Sequence, residues 1–154
     1  MSCNTTTEMR IKKEAKMTKK NRSKQINIYP AYDDNLYHWK AVVVPDKTSL
    51  YHDCNFELNI TIPETYPYTP PRIVFDTPIF HPNINSNGLI CISSLGKDWS
   101  PALTIEKSIY CILSLLDEPN PLDPLRPEAA ELFLSDKKEY KRRCREVIDE
   151  VNGK

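Results

Sequence analysis

A chain of 154 residues is long enough to bury one sizeable core and too short for two comfortable domains. Its 40% hydrophobic and 27% charged residues lie near globular averages, which excludes wholesale disorder. Lys plus Arg and Asp plus Glu balance at 21 each, which argues against a protein built as a whole for nucleic acid. No apolar run approaches the roughly 18 residues of a membrane span, and no signal-peptide core opens the sequence. A soluble cytoplasmic and/or nuclear protein is expected, with no membrane partner. The five cysteines are widely spaced with no Cys-x-x-Cys pair, so neither a disulfide framework nor a zinc site is expected.

Residues 1–8 are polar and are expected to form a flexible N-terminus, residues 9–151 one folded domain and residues 152–154 a short tail. From Met9 to Lys24 a basic run with Ile11 and Ala15 as a thin apolar stripe predicts a surface helix. Its charges form either a solvated face or a docking surface. Nucleic acid is not expected there, because no aromatics are interleaved with the charges. Strand-like runs follow at Ile26–Tyr29, Trp39–Val44, the alternating Phe56, Leu58, Ile60 and Ile62, and Ile73–Phe75. Period-two patterning with short connections predicts an antiparallel meander with one face against helices. His38 and Trp39 belong to that scaffold. His52 and Cys54 make too poor a pair to hold a metal.

Thr104 is placed to cap a central helix whose apolar positions are Ile105, Ile109, Ile112, Leu113 and Leu116, with Cys111 as a core residue. Pro127 is placed to open a short helix through Leu134. A last helix starts near Ser135 or Asp136, with Glu139 three residues after Asp136 in a capping-box pattern and Tyr140, Cys144, Val147, Ile148 and Val151 as its stripe. Strands grouped before helices define an α+β class. The expected order is an N-terminal helix, a four-stranded antiparallel meander, an irregular loop, then central and C-terminal helices.

That irregular loop, His81 to Pro101, carries the candidate chemistry. Pro82, Asn83, Asn85, Ser86, Asn87 and Gly88 are turn formers, so the backbone before Cys91 is irregular and near the surface. On the residues alone two readings of Cys91 stand. It is a thiol that can meet a partner, or it packs as a small apolar group, as free cysteines usually do.

His81-Pro82-Asn83, Cys91 eight residues on, and Trp99-Ser100-Pro101-Ala102 together resemble the signature of the ubiquitin-conjugating enzymes. Tyr66-Pro67-Tyr68-Thr69-Pro70-Pro71 is similar to that family's Tyr-Pro-x-x-Pro-Pro segment, and Pro119-Asn120-Pro121-Leu122-Asp123-Pro124-Leu125 to its Pro-Asn-Pro-x-x-Pro-Leu segment. The resemblance covers about residues 9 to 150, and it implies a catalytic domain of this fold over 9–151 with a cis Tyr66–Pro67 bond. Cys91 would carry the modifier as a thioester. Asn83 would stabilise the oxyanion or organise the nearby loop, and Asp123 would orient the incoming lysine or favour its neutral form. His81 would be structural. Tyr68, Ser100, Pro101 and Ala102 would face RING or HECT ligases, and Arg10, Lys12 and Lys13 would meet the activating enzyme. No cofactor is implied, since ATP is used upstream by the activating enzyme, and no metal.

The sequence departs from the family pattern in places. Val43-Val44-Pro45 stands where many members have Gly-Pro, and Asp53-Cys54 replaces a frequent Gly-Gly, which should stiffen or reshape a hairpin remote from Cys91. Gly96 and Lys97 stand where many relatives place an arginine that helps a RING ligase hold the modifier closed. The expected function is conjugation of ubiquitin to protein lysines. The alternatives are conjugation of a neddylation-type modifier, which Pro45-Asp46 and Glu118-Pro119-Asn120-Pro121 also resemble, and a non-catalytic ubiquitin-binding adaptor.

Overall fold

The computed structural model describes residues 5–154. Helix α1 (Thr5–Asn21) leads into strands β1 (Ile26–Tyr32), β2 (Asn35–Val43), β3 (Phe56–Thr61) and β4 (Arg72–Phe75), and helices α2 (Ile105–Asp117), α3 (Pro127–Ser135) and α4 (Lys137–Val151) follow. The strands form one antiparallel sheet in sequence order. This is the expected α+β arrangement.

Alternation decides which face of the sheet is buried. Trp39, Ala41 and Val43 of β2 point inward with Phe56, Leu58 and Ile60 of β3, and all six are fully buried. The helices complete the core with Ile11 from α1, Ile105, Ile109, Ile112 and Leu116 from α2, and Tyr140, Cys144 and Ile148 from α4. Full burial of each large side chain contributes on the order of 2 kcal/mol, so this shared core fixes where the helices sit. As expected, His38 and Trp39 serve the scaffold: Trp39 Nε1 donates to Leu36 O at 2.8 Å, and His38 Nε2 lies 3.0 Å from Asn59 Oδ1.

Three local differences from the sequence reading have physical causes. Helix α1 starts at Thr5 rather than Met9, because Thr7 is buried and its hydroxyl donates to Tyr66 O at 2.8 Å, anchoring the first turn. The rest of the expected flexible N-terminus, residues 1–4, lies outside the described residues. Strand β1 runs through Pro30 to Tyr32, with a register irregularity between them. An edge strand tolerates a proline that an inner strand would not. Cys111 is only half-buried, off the Ile105, Ile109, Ile112 and Leu116 stripe.

In the hairpin without glycines, one residue takes a backbone conformation that glycine enters freely. Asp53 takes a left-handed φ of 61°, which aspartate tolerates better than most residues. Helix α4 supports this loop: Arg145 Nη1 donates to Leu50 O and His52 O at 3.1 and 2.7 Å, and Asn152 Nδ2 donates to Asp53 O at 2.8 Å.

Candidate active site

Between β4 and α2 the chain forms no element longer than a 3-10 turn at Ser93–Leu95. Its shape comes from side chains and short bridges. Asn85 Oδ1 accepts from the backbone N–H groups of Asn87 and Leu89, both at 2.9 Å, which closes the turn before Cys91. Gly88 occupies that turn at φ 83°, and a Cβ there would lie 2.0 Å from Phe75 O. Only glycine fits, and its carbonyl accepts from Phe75 N–H at 2.9 Å, stitching the loop to β4.

His81 is buried, and its two ring nitrogens are both engaged. One lies 2.8 Å from Leu115 O, which can only accept, and the other accepts from Asn83 N–H at 3.0 Å. These partners fix the neutral ring with its proton on Nε2. Burial pushes its pKa down to about 4. His81 therefore has no nitrogen left to serve as base for a thiol, which agrees with the structural role implied by the resemblance.

Asn83 ties three segments together. Its Nδ2 donates to Asn120 O at 2.8 Å and Asp123 O at 3.1 Å, and its Oδ1 accepts from Asn120 N–H at 2.8 Å. Its own carbonyl accepts from Cys91 N–H at 2.8 Å. The neighbouring Pro82 carbonyl accepts from Leu125 and Arg126 N–H at 2.9 and 3.0 Å. A side-chain amide suits this place because it offers both donors and an acceptor to a backbone segment that needs both. The result fixes the 119–126 segment against the Cys91 loop.

That docking brings Asp123 to Cys91. The thiol donates to Asp123 Oδ2 at 3.5 Å, a length that sulfur permits. Both border an open groove of roughly 550 Å³, with Ile92, Lys97, Leu115 and Asn120 among its walls. Partial burial, then the adjacent Asp123 carboxylate, raise the Cys91 pKa above its ordinary value. The resting group is a thiol, not a thiolate. No histidine contacts it among the described residues, so the imidazole-activated cysteine of a hydrolase is not assembled here.

The residues expected to meet ligases share one surface. Trp99 Nε1 donates to Pro67 O at 2.8 Å and so joins the Ser100–Ala102 loop to the segment that carries Tyr68. Tyr68 is 75% exposed, and Pro101 and Ala102 are exposed. Tyr66–Pro67 is cis. Arg10 is turned toward the same loop: its guanidinium donates to Pro101 O and Leu103 O at 2.8 and 2.9 Å and pairs with Glu14 at 2.8 Å. Lys12 and Lys13 stay exposed.

Glu14 was not singled out in the sequence. It is 5% exposed and accepts from Arg10, from the Tyr66 hydroxyl and, at 2.8 Å, from Ile105 N–H at the start of α2. A carboxylate there also complements the positive end of the helix. The available signal was periodicity, since Thr7, Ile11, Glu14 and Thr18 recur on one helical face and all are buried.

The description "ubiquitin-conjugating enzyme" belongs to the family whose sequence model matches residues 10–148. With nearly the whole chain covered, the protein belongs to that family. Membership implies, in general, contact with ubiquitin and with ligases.

Proposed function

We propose that the protein carries ubiquitin as a thioester on Cys91 and transfers it to lysine amines, usually with a RING or HECT ligase. The observation that carries this reading is the Cys91 thiol held 3.5 Å from the Asp123 carboxylate, on two segments locked together by Asn83. In the loading step the Cys91 sulfur, losing its proton, attacks the thioester on the activating enzyme. A new C–S bond forms, the old one breaks, and the released thiolate takes a proton. In the transfer step a lysine amine attacks the Cys91 thioester carbonyl. The C–N bond forms, the C–S bond breaks, and Cys91 leaves as a thiolate that is reprotonated. A raised thiol pKa suits a relay that must persist until the amine arrives, and Asp123, beside that thiol, would orient the amine and favour its neutral form.

Asn83 acts by positioning the gate segment. Its amide hydrogens are already engaged, so a direct role at the oxyanion would require it to release one backbone carbonyl. The surface joining Tyr68, Ser100, Pro101 and Ala102 takes the ligase, and Lys12 and Lys13, with Arg10 supporting the loop beside them, meet the activating enzyme. Residues 9–151 act as one catalytic unit needing no cofactor of its own. The retained thiol with its carboxylate neighbour disfavours the adaptor reading. In a single-turnover discharge to free lysine, Asp123→Ala should still accept the modifier while its discharge slows by about tenfold or more. Discharge at the wild-type rate would remove Asp123 from the mechanism.

A further inference from the structure

The 119–126 segment that Asn83 docks against the Cys91 loop leaves two leucines open to solvent. Leu122 is 88% exposed, the highest value among the large hydrophobic side chains of the described residues, and Leu125 is 40% exposed. Single exposed leucines are ordinary, but the placement of Leu122 is not arbitrary. It is the residue next to Asp123, whose carboxylate touches the Cys91 thiol. Its backbone is tied down: Leu122 N–H donates to Asn120 Oδ1 at 3.2 Å, and Asn83 donates to the carbonyls of Asn120 and Asp123 that flank it. Hydrogen bonds from Asn83 and Asn120 thus set the backbone from which the leucine side chain extends into solvent.

Its place next to Asp123 argues for one occupant. On the proposed relay, an amine that discharges Cys91 enters the groove that Asp123 and Asn120 border, so the peptide that delivers the lysine would run along the 120–125 segment. We propose that Leu122 is an acceptor-recognition residue, which favours lysines flanked by an apolar side chain over lysines in polar surroundings. The inference rests on the thioester relay and adds its substrate class. An extended chain advances about 3.3 Å per residue, so the apolar side chain belongs within about three positions of the lysine. Contact with Leu122 removes apolar area from water on both partners. The bond-making step is unchanged: the amine nitrogen takes the acyl carbon, and Cys91 sulfur leaves.

The test uses the full chain loaded with ubiquitin and three short peptides, each with one lysine, flanked two residues away by Leu, Ser or Glu. The Leu peptide should exceed the Ser peptide by about three- to tenfold in kcat/KM, chiefly through KM. In Leu122→Ser that ratio should fall close to one, and in Leu122→Lys the Glu peptide should become the best of the three. A ratio cancels any general change in the variant enzyme. A wild-type ratio near one, or a preference that survives in Leu122→Ser, would overturn the assignment while the relay stands. Failure of every peptide and of free lysine to discharge loaded wild-type enzyme would instead strike the transfer chemistry beneath it.

Discussion

Two regions of this molecule are each organised by one buried polar side chain, and the two use different chemistry. At the candidate active site Asn83 faces a backbone segment with both donors and acceptors to satisfy, and a neutral amide serves both. At the junction of α1 with α2, Glu14 faces donors only: a guanidinium, a phenol and a helix N-terminal N–H. A carboxylate, which only accepts, fits there. Each residue therefore matches the polarity of its surroundings, and isosteric replacement should fail in opposite senses.

The largest effect should come at Glu14. Glu14→Ala leaves buried donors unpaired and removes the partner of Arg10, and it should destabilise the fold by about 3 kcal/mol in urea unfolding. Glu14→Gln keeps the size but turns amide hydrogens toward donors, so it should recover only part of that loss. A cost within error of zero for both would show that Glu14 does not hold the junction.

A similar magnitude is expected from pH at the other region. Burial depresses His81 from 6.5 to about 4 in the folded protein. As pH falls the unfolded chain binds the proton first, so the stabilisation is complete above about 6.5 and is lost as pH drops toward 4. The loss is about 3 kcal/mol. Unfolding midpoints measured across that window should fall more steeply for the wild type than for His81→Asn, and equal slopes would contradict the assignment.

A smaller loss, about 2 kcal/mol, is expected for Asn83→Ala, where backbone groups of a partly open segment can regain water. The same change should slow transfer to lysine more than it slows loading, because Asp123 is displaced while Cys91 remains. Asn83→Asp should be worse than Asn83→Ala, since a carboxylate would oppose two carbonyl oxygens. The reverse order would mean that the amide is not satisfying the gate segment as described.

Much of this was legible in the sequence where the signal is local. Asp136, three residues before Glu139, caps α4 by accepting from Glu139 N–H at 3.1 Å, and Thr104 accepts from Lys107 N–H at 3.1 Å at the start of α2. Periodicity likewise exposed the faces of the sheet and of α2. The motif carrying Cys91 was legible through family resemblance, since turn residues alone favoured a packed cysteine over a reactive one. What could not be read are partners distant in sequence. Asn83 meets Asn120 at a separation of 37 residues and Glu14 meets Ile105 at 91. Arg10, grouped by charge with Lys12 and Lys13, proved to be engaged inside the molecule because carbonyls of the 101–103 loop lie within its reach. Charge patterning cannot separate a docking cation from one that ties its own fold together.

The central claim is that Cys91 carries the modifier, and the most direct measurement is loading. The protein is incubated with ATP and either ubiquitin with its activating enzyme or the neddylation modifier with its own, then run on non-reducing gels. The account predicts an adduct with ubiquitin that is abolished by reducing agent and absent in Cys91→Ala. Loading only with the neddylation modifier would reassign the pathway while keeping the relay. An adduct that persists in Cys91→Ala, or none with either modifier, would contradict the account.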